Sequence, residues 1–182
     1  MTDTPLKSVE RITAPALEPL SLTETKLFLR VDTTNEDALI TSLIKVAREG
    51  AETYTGRSLN TQSHRLRVEG DMPSTIVLPK GPVISIQTVA TSSLGQSQQT
   101  LDAARYRLIN PRGVLQLFNA PTGDTLTITY AAGYGDNASD VPSLIRQGML
   151  HHIAQMFENR ESNGAIPELS RTLYFPFREV RI

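Results

Sequence analysis

Apolar positions recur at helical spacing in two separated stretches, and between them the pattern changes to alternation. Ile40, Leu43, Ile44, Ala47, Ala51 and Tyr54 fall in one narrow stripe at 100° per residue, which predicts an amphipathic helix of about five turns. Thr34 is its expected N-cap, and Gly56 supplies a left-handed residue past its end. Lys45 with Glu49 and Arg48 with Glu52 are four apart, and the wheel puts them on the opposite, solvated side. Ahead of this helix, Ser21 and Glu24 make a capping box for a shorter one through Lys26, Leu27 and Leu29, ending near Val31. The second long stripe is Val141, Ile145, Met149, His152, Ile153 and Met156, with Asp140 as N-cap and Pro142 in the first turn. That helix is expected to fade near Arg160.

From about residue 61 to 131 the period is two. Thr125, Thr127 and Thr129 alternate with Leu126, Ile128 and Tyr130, and Arg65, Arg67 and Glu69 with His64, Leu66 and Val68. Further strands are predicted at 75–78, 83–91, 106–109 and 114–118. Between them lie the turn segments Pro79-Lys80-Gly81-Pro82, Asn110-Pro111-Arg112-Gly113 and Pro121-Thr122-Gly123-Asp124. Ser92–Thr100 is polar and reads as a mobile loop tip. The first twenty residues, with Pro5, Pro15 and Pro19, show no periodicity and read as an extended arm. The expected class is α+β: a module of antiparallel helices (21–60 and 139–165) interrupted by an antiparallel sheet or small β-barrel (61–138). A C-terminal tail follows at 166–182.

Composition narrows the function classes. Cysteine is absent, so there is no disulfide framework, thiolate metal site or thiol nucleophile. No apolar run is long enough to span a membrane, and residues 1–20 lack the apolar block of a signal peptide. The formal net charge of -1 argues against tight, non-specific phosphate binding by the molecule as a whole.

Candidate chemistry is sparse. Gly133-Tyr134-Gly135 sits between strand and helix, yet it lacks the further glycine and Lys-Ser/Thr of a phosphate loop; a plain turn is the simpler reading. His151 and His152 are adjacent on a helix, so their side chains diverge and cannot chelate one metal together. His152 lies mid-stripe, as a hydrogen-bonded core histidine would. His64 has Ser63 beside it but no nucleophile elbow. No catalytic residue, metal site or cofactor is expected, and purified protein should lack nuclease, ATPase and hydrolase activity.

Two further groups matter. Arg65, Arg67, Arg105, Arg107 and Arg112 would form either an ordinary wet strand face, the simpler reading, or a basic surface lining a DNA channel. Past the last long helix, Leu173, Tyr174, Phe175, Pro176, Phe177 and Arg178 collect apolar and basic side chains that are costly to leave in water. This segment either folds back on its own helices or docks on a partner.

Three stretches together resemble the head–tail connector (adaptor) family of tailed bacteriophages and phage-derived particles, in its subgroup with a long β insertion. The first runs from Leu22-Thr23-Glu24-Thr25-Lys26 through Glu36-Asp37-Ala38-Leu39-Ile40 to Tyr54-Thr55-Gly56-Arg57. The second is Leu78-Pro79-Lys80-Gly81-Pro82-Val83 with Tyr130-Ala131-Ala132-Gly133-Tyr134-Gly135. The third joins Val141-Pro142-Ser143-Leu144-Ile145-Arg146 to Phe157-Glu158-Asn159-Arg160-Glu161 and Pro176-Phe177-Arg178. The resemblance implies a virion subunit at the head–tail junction, assembled in the host cytoplasm. It implies a homo-oligomeric ring, with a dodecamer as the expected count, beneath the portal protein. Such a ring extends the channel for double-stranded DNA, held weakly and non-specifically, and offers a platform to a stopper or tail-completion protein, with no membrane partner. It also shifts the C-terminal segment towards docking on the portal, with Pro176 favouring an extended conformation and residues 173–182 removable without unfolding. The alternatives are a tail-completion protein and, from another class, a nucleic-acid-binding β-barrel module. The second has few strand aromatics for stacking: Tyr106, Phe118 and Tyr130.

Overall fold

Periodicity of 3.6 and of 2 separates into different parts of the structure, a computed structural model describing residues 6–70, 72–111, 113–118, 123–159 and 164–179. The described residues of Pro15–Asn60 and Tyr134–Ile182 form a helical unit, and those of Met1–Ala14 and Thr61–Gly133 a β unit.

In the helical unit, α1 (Leu22–Leu29) starts as its capping box requires: Ser21 Oγ accepts the Glu24 N–H at 3.1 Å. It ends at Leu29, two residues short of the expected Val31, because Arg30 turns left-handed and caps it. α2 (Asp37–Thr55) closes on Gly56 at φ 76°. Its start differs from expectation: Glu36 is the N-cap, with no side-chain cap bond, and Thr34 lies outside, its carbonyl accepting the Asp37 N–H. Lys26 instead holds the helix start, donating to the Asp37 carboxylate at 2.6 Å, where an acid also suits the helix dipole. α3 (Ser143–Glu158) begins after Pro142. Asp140, the expected cap, belongs to a preceding 3-10 turn and accepts the Asn137 N–H. The expected end near Arg160 lies outside the described residues. The two stripes meet in one core of Ile40, Ile44, Ala47 and Ala51 against Val141, Ile145, Met149 and Ile153.

One expectation is overturned inside α2. Arg48 and Glu52 are not on a solvated side; they are 4% and 8% exposed. Residues ahead of α1 and after α2 cover them. Arg48 Nε donates to Glu18 at 2.7 Å and its Nη1 to Glu52 at 3.1 Å, while the other Glu52 oxygen accepts the Leu59 N–H. Burial alone would depress the Arg48 pKa, but the Glu18 hydrogen bond and the carboxylates around it outweigh that and raise it. The pairing is what makes a buried charge tolerable.

The β unit holds two antiparallel sheets around one core. The larger has the order β1-β2-β8-β4-β5, with β1 (Leu6–Thr13), β2 (Gln62–Glu69), β4 (Val83–Ser92), β5 (Gln99–Thr100) and β8 (Thr125–Ala132). The smaller is β3-β7-β6, from β3 (Thr75–Val77), β6 (Tyr106–Ile109) and β7 (Val114–Leu117). Leu66, Val68, Leu126, Ile128 and Tyr130 from the first meet Ile76, Leu115 and Leu117 from the second. The alternation seen in sequence thus places its apolar members inwards.

The extended arm is a strand. β1 pairs with β2 from Leu6 opposite Glu69 to Thr13 opposite Ser63, and all eight of its residues are exposed. A strand wet on both faces needs no period-two pattern; it forms here because β2 offers an open backbone edge. Ser92–Thr100 is a hairpin connection whose end forms β5, with Leu94 N–H held by the Asp124 carboxylate at 2.9 Å.

Candidate functional site

The C-terminal stretch is helical, contrary to the extended conformation expected from Pro176. α4 (Glu168–Tyr174) runs into a 3-10 turn over Phe175–Phe177, closed by the Arg178 N–H donating to the Phe175 carbonyl at 3.1 Å. Proline fits because the first positions of such a turn need no N–H. Phe175 in front of it is in the right-handed region, where a residue before proline is disfavoured. Packing on either side of it decides. Tyr174 is fully buried, ring to ring with Tyr54 at 6.1 Å and against the bare backbone of Gly148, and burial drives its hydroxyl pKa upwards. Phe177 is half-buried on the same core.

Two further contacts fasten the segment to the end of α2. Arg57 Nε donates to the Phe177 carbonyl at 2.6 Å, and the Glu179 N–H to the Thr55 carbonyl at 2.7 Å. The six candidate docking residues therefore divide. Tyr174 belongs to the subunit's own core, and Leu173 and Phe177 are half-buried. Phe175 (65% exposed), Pro176 and Arg178 face solvent. The Arg178 guanidinium lies 5.8 Å from the Tyr54 ring centroid, a cation–π contact that holds it in place. Tyr174 and Phe177 thus tie the described part of this segment to the core of the helical unit.

Beside this segment is a cavity of about 380 Å³ lined by Tyr54, Glu168, Arg171, Thr172 and Phe175. The four residues after Tyr54 are spaced i, i+3, i+4, i+7 and so share one face of the helical segment. That spacing was available in the sequence, but no helix was expected past Gly164, so the face went unseen.

The described basic candidates lie on three different elements. Arg65 and Arg67 point away from the core of the larger sheet, whereas Arg107 does so on the smaller one. Arg65 approaches Glu10 at 3.9 Å, Arg67 pairs with Glu69 at 2.9 Å, and Arg107 donates to Gln116. Arg105 is exposed in the turn before β6, and Arg112 lies outside the described residues.

Both buried histidines are packed inside their units. His152 is fully buried, with Nε2 3.2 Å from the Gly164 carbonyl; burial lowers its pKa against the opposing effect of that hydrogen bond. His64 stacks near Tyr130 at 5.7 Å, and burial, with Lys80 and Arg11 nearby, lowers its pKa to about 4. Gly135 is needed as a turn residue because a Cβ there would collide with the Asp140 carboxylate. Among the described residues no group of three or more His, Asp or Glu could hold a metal ion, and no helix is long and apolar enough to cross a membrane.

The family profile described as "Head completion protein" matches residues 18–163. The chain belongs to the head completion protein family. Its match spans α1, α2, the β unit after β1, and α3, and covers most of the stretch that carries the resemblance to phage head–tail connectors, though not Pro176-Phe177-Arg178. Among solved structures this family member is similar to a chain from the neck of an empty gene transfer agent (GTA) particle computed with C6 symmetry. The TM-score is 0.82 at 25% identity, over 96% of this chain and 97% of that one. Chains from the virion of a native GTA particle and from the neck of a native particle computed with C12 symmetry share the fold. They give TM-scores of 0.81 and 0.76 at 24% and 22% identity; each comparison covers 96% of this chain, and 96% and 97% respectively of the others. No curated protein matches.

Proposed function

We propose that this head completion protein is a head–tail connector subunit: one of a ring of identical copies beneath the portal of a phage-like head. The ring, with twelve copies as its expected count, extends the DNA channel and presents a platform to a stopper or tail-completion protein. The observation that carries this reading is the whole-chain likeness to a neck protein, 96% of one chain on 97% of the other, combined with family membership. A likeness that spans both units supports a shared structural role at the junction more than a shared fold fragment would. The role is structural, in keeping with a family of head completion proteins, and no step of catalysis is assigned.

Portal contact falls to the exposed part of the C-terminal segment: Pro176 and Arg178, with Phe175 at the edge shared with the cavity. An aromatic flanked by arginine anchors interfaces well because it buries much area at low rotamer cost, and one modest contact repeated round a ring gains avidity. DNA contact is weak by design, since Arg65 and Arg67 share their charge with Glu10 and Glu69. Passage needs sliding, and a tight phosphate cage would oppose it.

Electron microscopy of particles carrying a tagged subunit tests the placement. Density for the tag is expected in a ring at the head–tail junction on the head side. Density at the tail end of the junction would favour the tail-completion role, and density elsewhere would end the reading. Pro176→Ser with Arg178→Glu, both outside the cavity lining, is expected to leave a folded subunit that no longer joins DNA-filled heads; normal incorporation would remove the portal contact.

A further inference from the structure

Two features of the helical unit sit at opposite ends of α2. At its start, Lys26 of α1 holds Asp37, and next along α1 Leu27 is 80% and Phe28 37% exposed, with Arg30 exposed at the left-handed cap. At its end, Tyr54 lines the cavity together with Glu168, Arg171, Thr172 and Phe175. From Asp37 to Tyr54 the helix runs roughly 25 Å at its standard rise. One end therefore carries an apolar knob and the other an aromatic-walled hollow.

We propose that the knob of one subunit seats in the hollow of the next copy, with Leu27 and Phe28 against Tyr54 and Phe175, and Arg30 meeting Glu168. This rests on the ring reading above. A ring of identical subunits joined head to tail must bury two different patches per subunit, one giving and one receiving, set apart on the molecule. A knob and a hollow at the two ends of one rigid helix meet that requirement. The charges agree as well. Arg30 ends the knob, and the Glu168 side chain is 87% exposed beside the hollow, 3.9 Å from Arg171. Opposite charges at a rim steer encounter and fix register. Pro176 and Arg178 do not line the hollow, so the contact between copies leaves them to the portal.

The chain contains no cysteine, which makes disulfide trapping clean. Particles are assembled with a subunit carrying both Leu27→Cys and Thr172→Cys, oxidised, denatured and resolved without reductant. The expected result is a ladder at multiples of the subunit mass. It should be absent with either substitution alone and with Leu94→Cys plus Thr172→Cys. Because disulfide geometry is narrow, Arg30→Cys with Glu168→Cys is run in parallel. If microscopy shows the subunit in a ring while both pairs stay at monomer mass, the knob-in-hollow contact is wrong and the ring reading stands. Crosslinks to a heavier, different chain give the hollow to another occupant and overturn the contact too. If no ring is seen, both fall together. As a second measurement, Leu27→Asp is expected to leave the melting temperature unchanged and to cut ring incorporation at least tenfold; unchanged incorporation counts against the proposal.

Discussion

At the residue scale, one tight fit in the helical unit sets a glycine against a tyrosine. A Cβ added to Gly148 would come 2.5 Å from Tyr174 Cε1, and Ser170 Oγ donates to the Gly148 carbonyl at 2.8 Å. α4 therefore lies tight on α3 only while position 148 has no side chain. Gly148→Ala gains helix propensity but overpacks the contact, and a net loss of about 1–3 kcal/mol is expected in chemical denaturation. The histidines make a second residue-scale prediction. His64 is held neutral, its folded pKa near 4 against 6.5 when unfolded. Between these values the unfolded chain binds the proton and the folded one does not, so stability is complete above pH 6.5 and declines as pH falls towards 4. His152 shifts in the same direction. The loss attributable to His64 is on the order of 3 kcal/mol once both states are protonated. His64→Gln should flatten the fall in melting temperature between pH 7 and 4; an unchanged slope would show that the imidazole is not buried neutral.

At the scale of elements, the long helices hold together through facing stripes. Ile145 is fully buried where α3 meets α2, while Leu43 is half-buried at the margin of the same core. Ile145→Ala is expected to cost about 2–5 kcal/mol and Leu43→Ala less than half of that, measured by urea unfolding. Equal costs would mean that the stripe is not graded as its burial implies. The stripes were legible because a helix buried on one side must repeat its apolar residues every three or four positions. α4 was not. It has seven residues, starts after Pro167 without a side-chain cap, and owes its helical form to Tyr174 and Ser170 on α3. So short an element has little stability alone. β1 escaped for the opposite reason: an edge strand exposed on both faces carries no alternation to read.

At the scale of the whole molecule, the C-terminal segment decides how far the chain can be shortened. Tyr174 and Phe177 complete the core of the helical unit, and Arg57 and Thr55 tie the backbone after them to α2. Deleting residues 173–182 is expected to cost at least about 3–5 kcal/mol, the usual loss for one large buried aromatic, and to lower the melting temperature sharply. Phe175→Ser, on the exposed side, should stay within about 0.5 kcal/mol of the parent. A truncated protein that melted like the full chain would show that the aromatic segment lies outside the core.

The sequence by itself determined the α+β class, the two long helices, the inward and outward sides of β2 and β8, and the resemblance that led to the family. Each of these is written in local periodicity or in motifs spread along the chain, and local patterns survive without knowledge of what packs on them. The tertiary structure alone decided what happens to residues whose neighbours are distant in sequence. Arg48 and Glu52 have the spacing of a solvated pair, yet Glu18 and the Leu59 N–H enclose them. Pro176 has the local preference of an extended segment, yet Tyr174 and Phe177 draw it into a turn. Arg65, Arg67 and Arg107 alternate like one basic face, yet they divide between the outward sides of two sheets. Burial and charge pairing are sums over contacts between distant segments, and no window of sequence contains those terms.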